Sequence, residues 1–163
     1  MTAIWKTPQG AQIVRERYEE VLRLWPLESR RLAVPTRAGE TFVIECGPVD
    51  APPLVLLHGT ASNSASWMVD VADWGRHFRV LCIDIIGDAG LSAGVRPPLE
   101  TSDHSDWLDD VLSACHVREA ALCGTSLGGW LALDYAVRRP GKVSQLVLFC
   151  PGGVGRNLNI LLW

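Results

Sequence analysis

Apolar residues along this chain follow two rhythms. Between Thr7-Pro8 and Leu24, the residues Ile13, Val14, Tyr18, Val21 and Leu22 recur at helical spacing, with Arg15, Glu16, Arg17, Glu19 and Glu20 on the other side. That is the stripe of an amphipathic helix, and Pro8 suits its first turn. Residues 31–35 and 41–46 then read as strands, with Arg37-Ala38-Gly39-Glu40 as a hairpin loop between them. After a proline-rich connection, Leu54-Val55-Leu56-Leu57 is apolar at every position. Such a run marks a strand covered on both faces. A helix is expected to open at Ser64 or Ala65 and run towards Phe78, and residues 79–84 form another buried strand. Residues 85–98 are a loop bearing glycine and proline. Thr101 or Ser102 caps a helix whose stripe is Trp107, Leu108, Val111, Leu112 and Cys115. A strand at 120–123, a helix-forming run at 130–138 stopped by Pro140-Gly141, and a strand at 144–150 complete the series.

Strands alternating with helices predict an α/β fold: a mainly parallel sheet of six strands with helices on both faces. The opening hairpin adds an antiparallel edge. The expected division is one domain, with an amino-terminal helix in 1–30, a sheet core in 31–150 and a loop leading into an apolar stretch in 151–163.

Composition narrows the partners. A net charge of −3 spread over 163 residues offers no basic face for nucleic acid. The longest apolar runs are too short to span a bilayer, and the first residues lack the pattern of a signal peptide. The five cysteines have neither metal-ligand spacing nor a disulfide framework, so no metal or other cofactor is implied and a cytoplasmic, reducing location is expected.

Candidate chemistry lies between the last two strands. Gly124-Thr125-Ser126-Leu127-Gly128 reads Gly-x-Ser-x-Gly, with an apolar strand before it and a helix after it. The pattern alone marks only a small-residue turn; the strand and helix around it make it a nucleophile elbow. A side chain at 124 or 128 would collide with the neighbouring strand or helix. The helix that starts behind the serine turns its N–H groups and positive dipole end towards the reacting atoms.

With His58-Gly59 at the end of an earlier buried strand, the chain resembles the α/β-hydrolase fold. Asp50-Ala-Pro-Pro-Leu-Val-Leu-Leu-His-Gly59 and Asp84-Ile-Ile-Gly-Asp88 are similar to bacterial carboxylesterases of the naproxen-esterase type, over the first part of that family's domain. The resemblance implies Ser126 as nucleophile and a small-molecule ester as substrate. It implies an oxyanion hole from the backbone N–H groups of Leu127 and Thr60. His58 would orient the oxyanion loop and not act as base; Gly59, Gly124 and Gly128 would support the site. Asp84 takes a structural role, and no role follows for Asp88. His77 and His116 read as surface residues, and His104, beside Asp103 and Asp106, reads as part of a solvated face.

The fold's triad runs serine, then acid, then histidine. After Ser126 the only acidic residue is Asp134, within the elbow helix, and residues 135–163 hold no Asp, Glu or His. Two readings stand. One is the amino-terminal portion of a serine esterase, truncated after about six strands, with 151–163 starting a lid. The other is an inactive hydrolase fold that binds a small molecule or a protein. The last strand has no polar face, so self-association or a complementing carboxyl-terminal fragment is expected.

Overall fold

The computed structural model describes residues 4–153. Its elements are α1 (Pro8–Leu22), β1 (Ser29–Thr36), β2 (Gly39–Cys46), β3 (Pro53–Leu57), α2 (Met68–Trp74), β4 (Arg79–Ile83), α3 (Asp103–Ala114), β5 (Ala120–Thr125), α4 (Leu127–Arg138) and β6 (Val143–Phe149). The six strands form one sheet in the order β1-β2-β4-β3-β5-β6. β1–β2 and β2–β4 pair antiparallel; β4, β3, β5 and β6 run parallel. The sheet is the expected one, and it begins at Ser29, slightly before the anticipated boundary at 31.

Period-two alternation sorts the strands between two cores. Val55 and Leu57 of β3, with Leu81 and Ile83 of β4, meet Trp107, Leu108, Val111 and Leu112 of α3 and Leu131 and Tyr135 of α4. Leu54 and Leu56, with Val80 and Cys82, meet Tyr18 and Leu22 of α1 and Val71 of α2. Both faces of β3 and β4 are therefore covered, as their unbroken apolar runs require.

Local details depart from the expectations. The hairpin turn is only Arg37-Ala38, because Gly39 takes φ 115° and already belongs to β2. The run from Ser64 begins as a single 3-10 turn, Ser64–Trp67, and α2 ends at Trp74. Gly75 follows it closely packed: a Cβ there would meet the Leu27 side chain and, at 2.8 Å, the Val71 carbonyl oxygen. The two predicted capping residues divide the role at the start of α3. Ser102 is the residue before the helix, but its hydroxyl bonds Asp106 Oδ2 at 2.9 Å, while Thr101 Oγ1 accepts from Asp103 N at 3.3 Å.

Two burial expectations fail. Of the α1 stripe, Tyr18 and Leu22 are buried, but Ile13, Val14 and Val21 are exposed, because the helix touches the sheet only through its carboxyl-terminal half. His104 is buried rather than solvated; it stands edge-on to Trp107, with ring centroids 6.5 Å apart, and its Nδ1 has no partner among the described residues. Its acidic neighbours do face outward, Asp106 to Arg139 at 2.6 Å. No described helix is long and apolar enough to cross a membrane. The expected apolar end at 154–163 lies outside the described residues.

Candidate active site

Ser126 stands between β5 and α4 with φ 51° and ψ −111°, a left-handed conformation that a side chain rarely adopts. Such strain persists only where the surroundings impose it. Here the serine backbone is tied on both sides: its N–H donates to Phe149 O at 2.9 Å, and its carbonyl accepts from Trp130 N at 3.0 Å and Gly152 N at 2.9 Å. The flanking glycines allow the close approach. A Cβ on Gly124 would reach 2.6 Å from Gly129 N, and one on Gly128 would reach 2.5 Å from His58 O and closer still to Leu57 O. Gly128 N–H donates to His58 O at 3.1 Å, which docks the elbow onto the end of β3.

That docking brings the two predicted stretches together. A Cβ on Gly59 would lie 3.6 Å from the Cβ of Ser126. Gly59 does not take a positive φ; Ala61 does, with φ 56°. Thr60 is exposed at the corner. Among the described residues the N–H groups of Thr60 and of Leu127, the first residue of α4, donate to no acceptor. Two unspent donors beside a serine at a helix N-terminus suit an oxygen that becomes negative.

His58 is fully buried and fully used. Its Nε2 accepts from Ile85 N–H at 2.9 Å, and its Nδ1 faces Gly59 O at 2.8 Å. An amide N–H can only donate and a carbonyl only accept, so the proton sits on Nδ1. Burial pushes the imidazole below its ordinary pKa, and the Gly59 bond and the Asp84 and Asp88 carboxylates offset this only in part. A neutral ring with both nitrogens engaged cannot take a proton from Ser126. It holds the Gly59 carbonyl, and with it the peptide that carries Thr60 N–H.

The loop after β3 is anchored from behind by Asp84, which is buried and forms no ion pair among the described residues. Four donors satisfy the carboxylate: Tyr18 Oη at 2.9 Å, Ser64 N at 2.8 Å and Ser64 Oγ at 2.6 Å on Oδ1, and Leu91 N at 2.8 Å on Oδ2. Burial, then the Asp84 charge, raises the Tyr18 pKa far above its usual value, so Tyr18 stays a donor. Asp134 is occupied elsewhere, bonding Ser105 Oγ at 3.0 Å and Arg138 Nε at 2.8 Å. His77 and His116 are exposed.

The sequence left Asp88 without a role. Its Oδ1 accepts from Ala61 N at 2.8 Å, across 27 positions of chain. No local pattern signals that bond, since it depends on two loops meeting at the sheet's carboxyl edge.

Residues 52–161 match the alpha/beta hydrolase fold family. The carboxylesterase YbfK of Bacillus subtilis is 39% identical over 134 residues, 82% of this chain and 45% of that protein. The crystal structure of the B. subtilis carboxylesterase CesB (YbfK) superposes with a TM-score of 0.82 at 38% identity, covering 86% of this chain and 50% of that one. For the B. subtilis naproxen esterase (carboxylesterase NP) the TM-score is 0.73 at 36% identity, covering 85% and 48%. The chain thus spans about half the length of the curated relatives it matches. With this sheet order, a serine at the strained turn after β5 and that match along most of its length, the chain belongs to the alpha/beta hydrolase fold family.

Proposed function

We propose that the chain forms the amino-terminal part of a serine hydrolase that cleaves carboxylic esters through an acyl-enzyme on Ser126. The observation that carries this reading is the left-handed Ser126 beside the His58-Gly59 turn, with the N–H groups of Thr60 and Leu127 unspent. Ser126 Oγ attacks the ester carbonyl carbon and loses its proton to a base. The carbonyl oxygen gathers charge between Thr60 and Leu127 N–H. The alcohol leaves with a proton, and water repeats the attack on the acyl group. The base and the acid that orients it come from a carboxyl-terminal part, since His58 is engaged and residues 135–163 supply neither group. The location is cytoplasmic, in keeping with free, mostly buried cysteines. The 163-residue chain alone associates through the outer edge of β6, with a second copy or with a complementing fragment.

The test expresses the coding sequence through to its stop codon and measures p-nitrophenyl acetate hydrolysis. Ser126→Ala is expected to remove activity by about 10⁴-fold or more. The 163-residue chain keeps only a residual rate. Absence of turnover in the complete unaltered protein would return the site to the second reading, a binding module, which the lack of acid and histidine after Asp134 favours, and full turnover in Ser126→Ala would move the chemistry away from this serine.

A further inference from the structure

We propose that Asp88 is a positioning residue for this hydrolysis: it fixes the peptide after Thr60 and so aims Thr60 N–H at the developing oxyanion. The inference rests on the reading of Ser126 as nucleophile. Thr60 lies between two planar peptides. The first is held by His58 through the Gly59 carbonyl at 2.8 Å. The second carries Ala61 N–H, and Asp88 Oδ1 accepts it at 2.8 Å. With one bond on each side, neither plane that meets at Thr60 can swing alone.

Ala61 makes the hold necessary. A non-glycine residue at φ 56° is strained and reverts unless its neighbours impose it. The group on its N–H is Asp88, only 4% exposed. Asp88 is itself fixed in turn. Its N–H donates to Ile85 O at 3.2 Å, and its Oδ1 also accepts from Ala89 N at 3.1 Å. Asn63 Nδ2 latches the same loops together through Ala89 O at 3.0 Å. Asp88 Oδ2 is buried with no partner among the described residues. Burying an unpaired carboxylate oxygen is unfavourable, and packing alone gives no reason to keep one there.

The experiment uses the complete protein with Asp88→Ala and Asp88→Asn, with active sites titrated by an organophosphonate. Turnover of p-nitrophenyl acetate is measured beside inhibition by a trifluoromethyl ketone, whose tetrahedral adduct places an oxyanion in the hole. Losing one oxyanion donor costs about 10²–10³ in kcat, so misaiming one is expected to cost about tenfold or more. Asp88→Ala should show that loss per titrated site, with KM within about threefold and ketone affinity weakened by the same factor as kcat. Asn keeps an acceptor for Ala61 N–H and should restore kcat to within about threefold of the parent. Where Asp88→Ala does not fold, Asp88→Ser, whose hydroxyl is too short to span the gap, takes its place with the same expected loss. Asp88→Ala or Asp88→Ser keeping its kcat, a loss confined to KM or to the fraction of titratable sites, or Asn losing as much as Ala would each overturn the proposal. Unchanged turnover in Ser126→Ala would instead overturn the reading of the site, whatever Asp88 does.

Discussion

The sheet has two edges, and they are built differently. β1 ends it with Arg30, Arg31 and Pro35, residues that resist pairing with a further strand. Arg31 is tied to Glu19 of α1 at 2.7 Å and to Leu22 O at 3.0 Å, and the turn residue Arg37 grips Asp110 of α3 at 2.8 Å. β6 ends the described sheet with Val-Ser-Gln-Leu-Val-Leu-Phe. Leu146 and Leu148 pack towards α4, but Val147 and Phe149, on the other face, are 43% and 47% exposed. The first edge is closed by charge and proline. The second is apolar, with a face that α1 and α2 do not reach.

The comparison can be broken from the inside outward. The largest effect belongs to the doubly covered strands. Leu81→Ala on β4, at a fully buried position, is expected to destabilise the complete domain by about 3–4 kcal/mol in urea unfolding followed by tryptophan fluorescence. A value near that of a surface substitution would mean that the centre of the sheet is no better packed than its edge. Next comes the tie between α1 and the site. Tyr18→Phe leaves Asp84 one donor short and should cost about 1.5–3 kcal/mol, the range for bonds to charged groups.

At the β6 edge the expected stability change is small, below about 0.5 kcal/mol for Phe149→Lys, but the state of association should move. The unaltered 163-residue chain should elute as a dimer or larger in size-exclusion chromatography with light scattering, and Val147→Lys with Phe149→Lys should shift it towards monomer. A monodisperse 17.8 kDa species with a cooperative melt from the unaltered chain would show both edges to be equally closed. The smallest effect concerns the ion pairs that close the first edge and the α3–α4 seam. Arg37 hydrogen bonding, against opposing burial, holds Asp110 below its ordinary pKa. For Asp109 burial pulls upward, but bonds from Lys142, Arg139 and Tyr135 outweigh it and hold the pKa low. Because both folded values lie below the unfolded one of about 3.9, their stabilisation is fully present above that pH and is lost as pH falls through the lower, folded values. Urea midpoints should therefore drop as pH falls below about 4, and Arg37→Met should reduce the Asp110 share of that drop.

What the sequence made legible follows from the reach of each signal. The elbow is local: two glycines and a serine within five positions, flanked by a strand and a helix, and the backbone there takes the strained shape that those residues allow. The run Leu54–Leu57 announces a strand with two covered faces, and both faces are covered. Legibility ends where a residue's neighbours come from elsewhere. His104 sits among acids in sequence, yet Trp107 and the fold around it bury the ring. The α1 stripe is apolar beyond the part that meets the sheet. Asp88 has its partner 27 residues upstream, which only the meeting of two loops reveals.

The hydroxyl of Tyr18 on Asp84 bears on where this protein can be divided. The family match starts at residue 52, after α1 and the β1–β2 hairpin. Yet Tyr18 supplies one of the four donors on Asp84, the Asp84 amide donates to Phe42 O at 3.0 Å, and the Trp107 indole donates to Thr41 Oγ1 at 2.7 Å. A protein trimmed to the matched segment would expose the flank of β4 and strip partners from three buried groups, the Asp84 carboxylate, the Asp84 amide and the Trp107 indole. The limits of a shared ancestry signal are therefore not those of a cooperative folding unit: Tyr18, Thr41 and Phe42, all ahead of the matched segment, are part of what holds Asp84 and Trp107 in place.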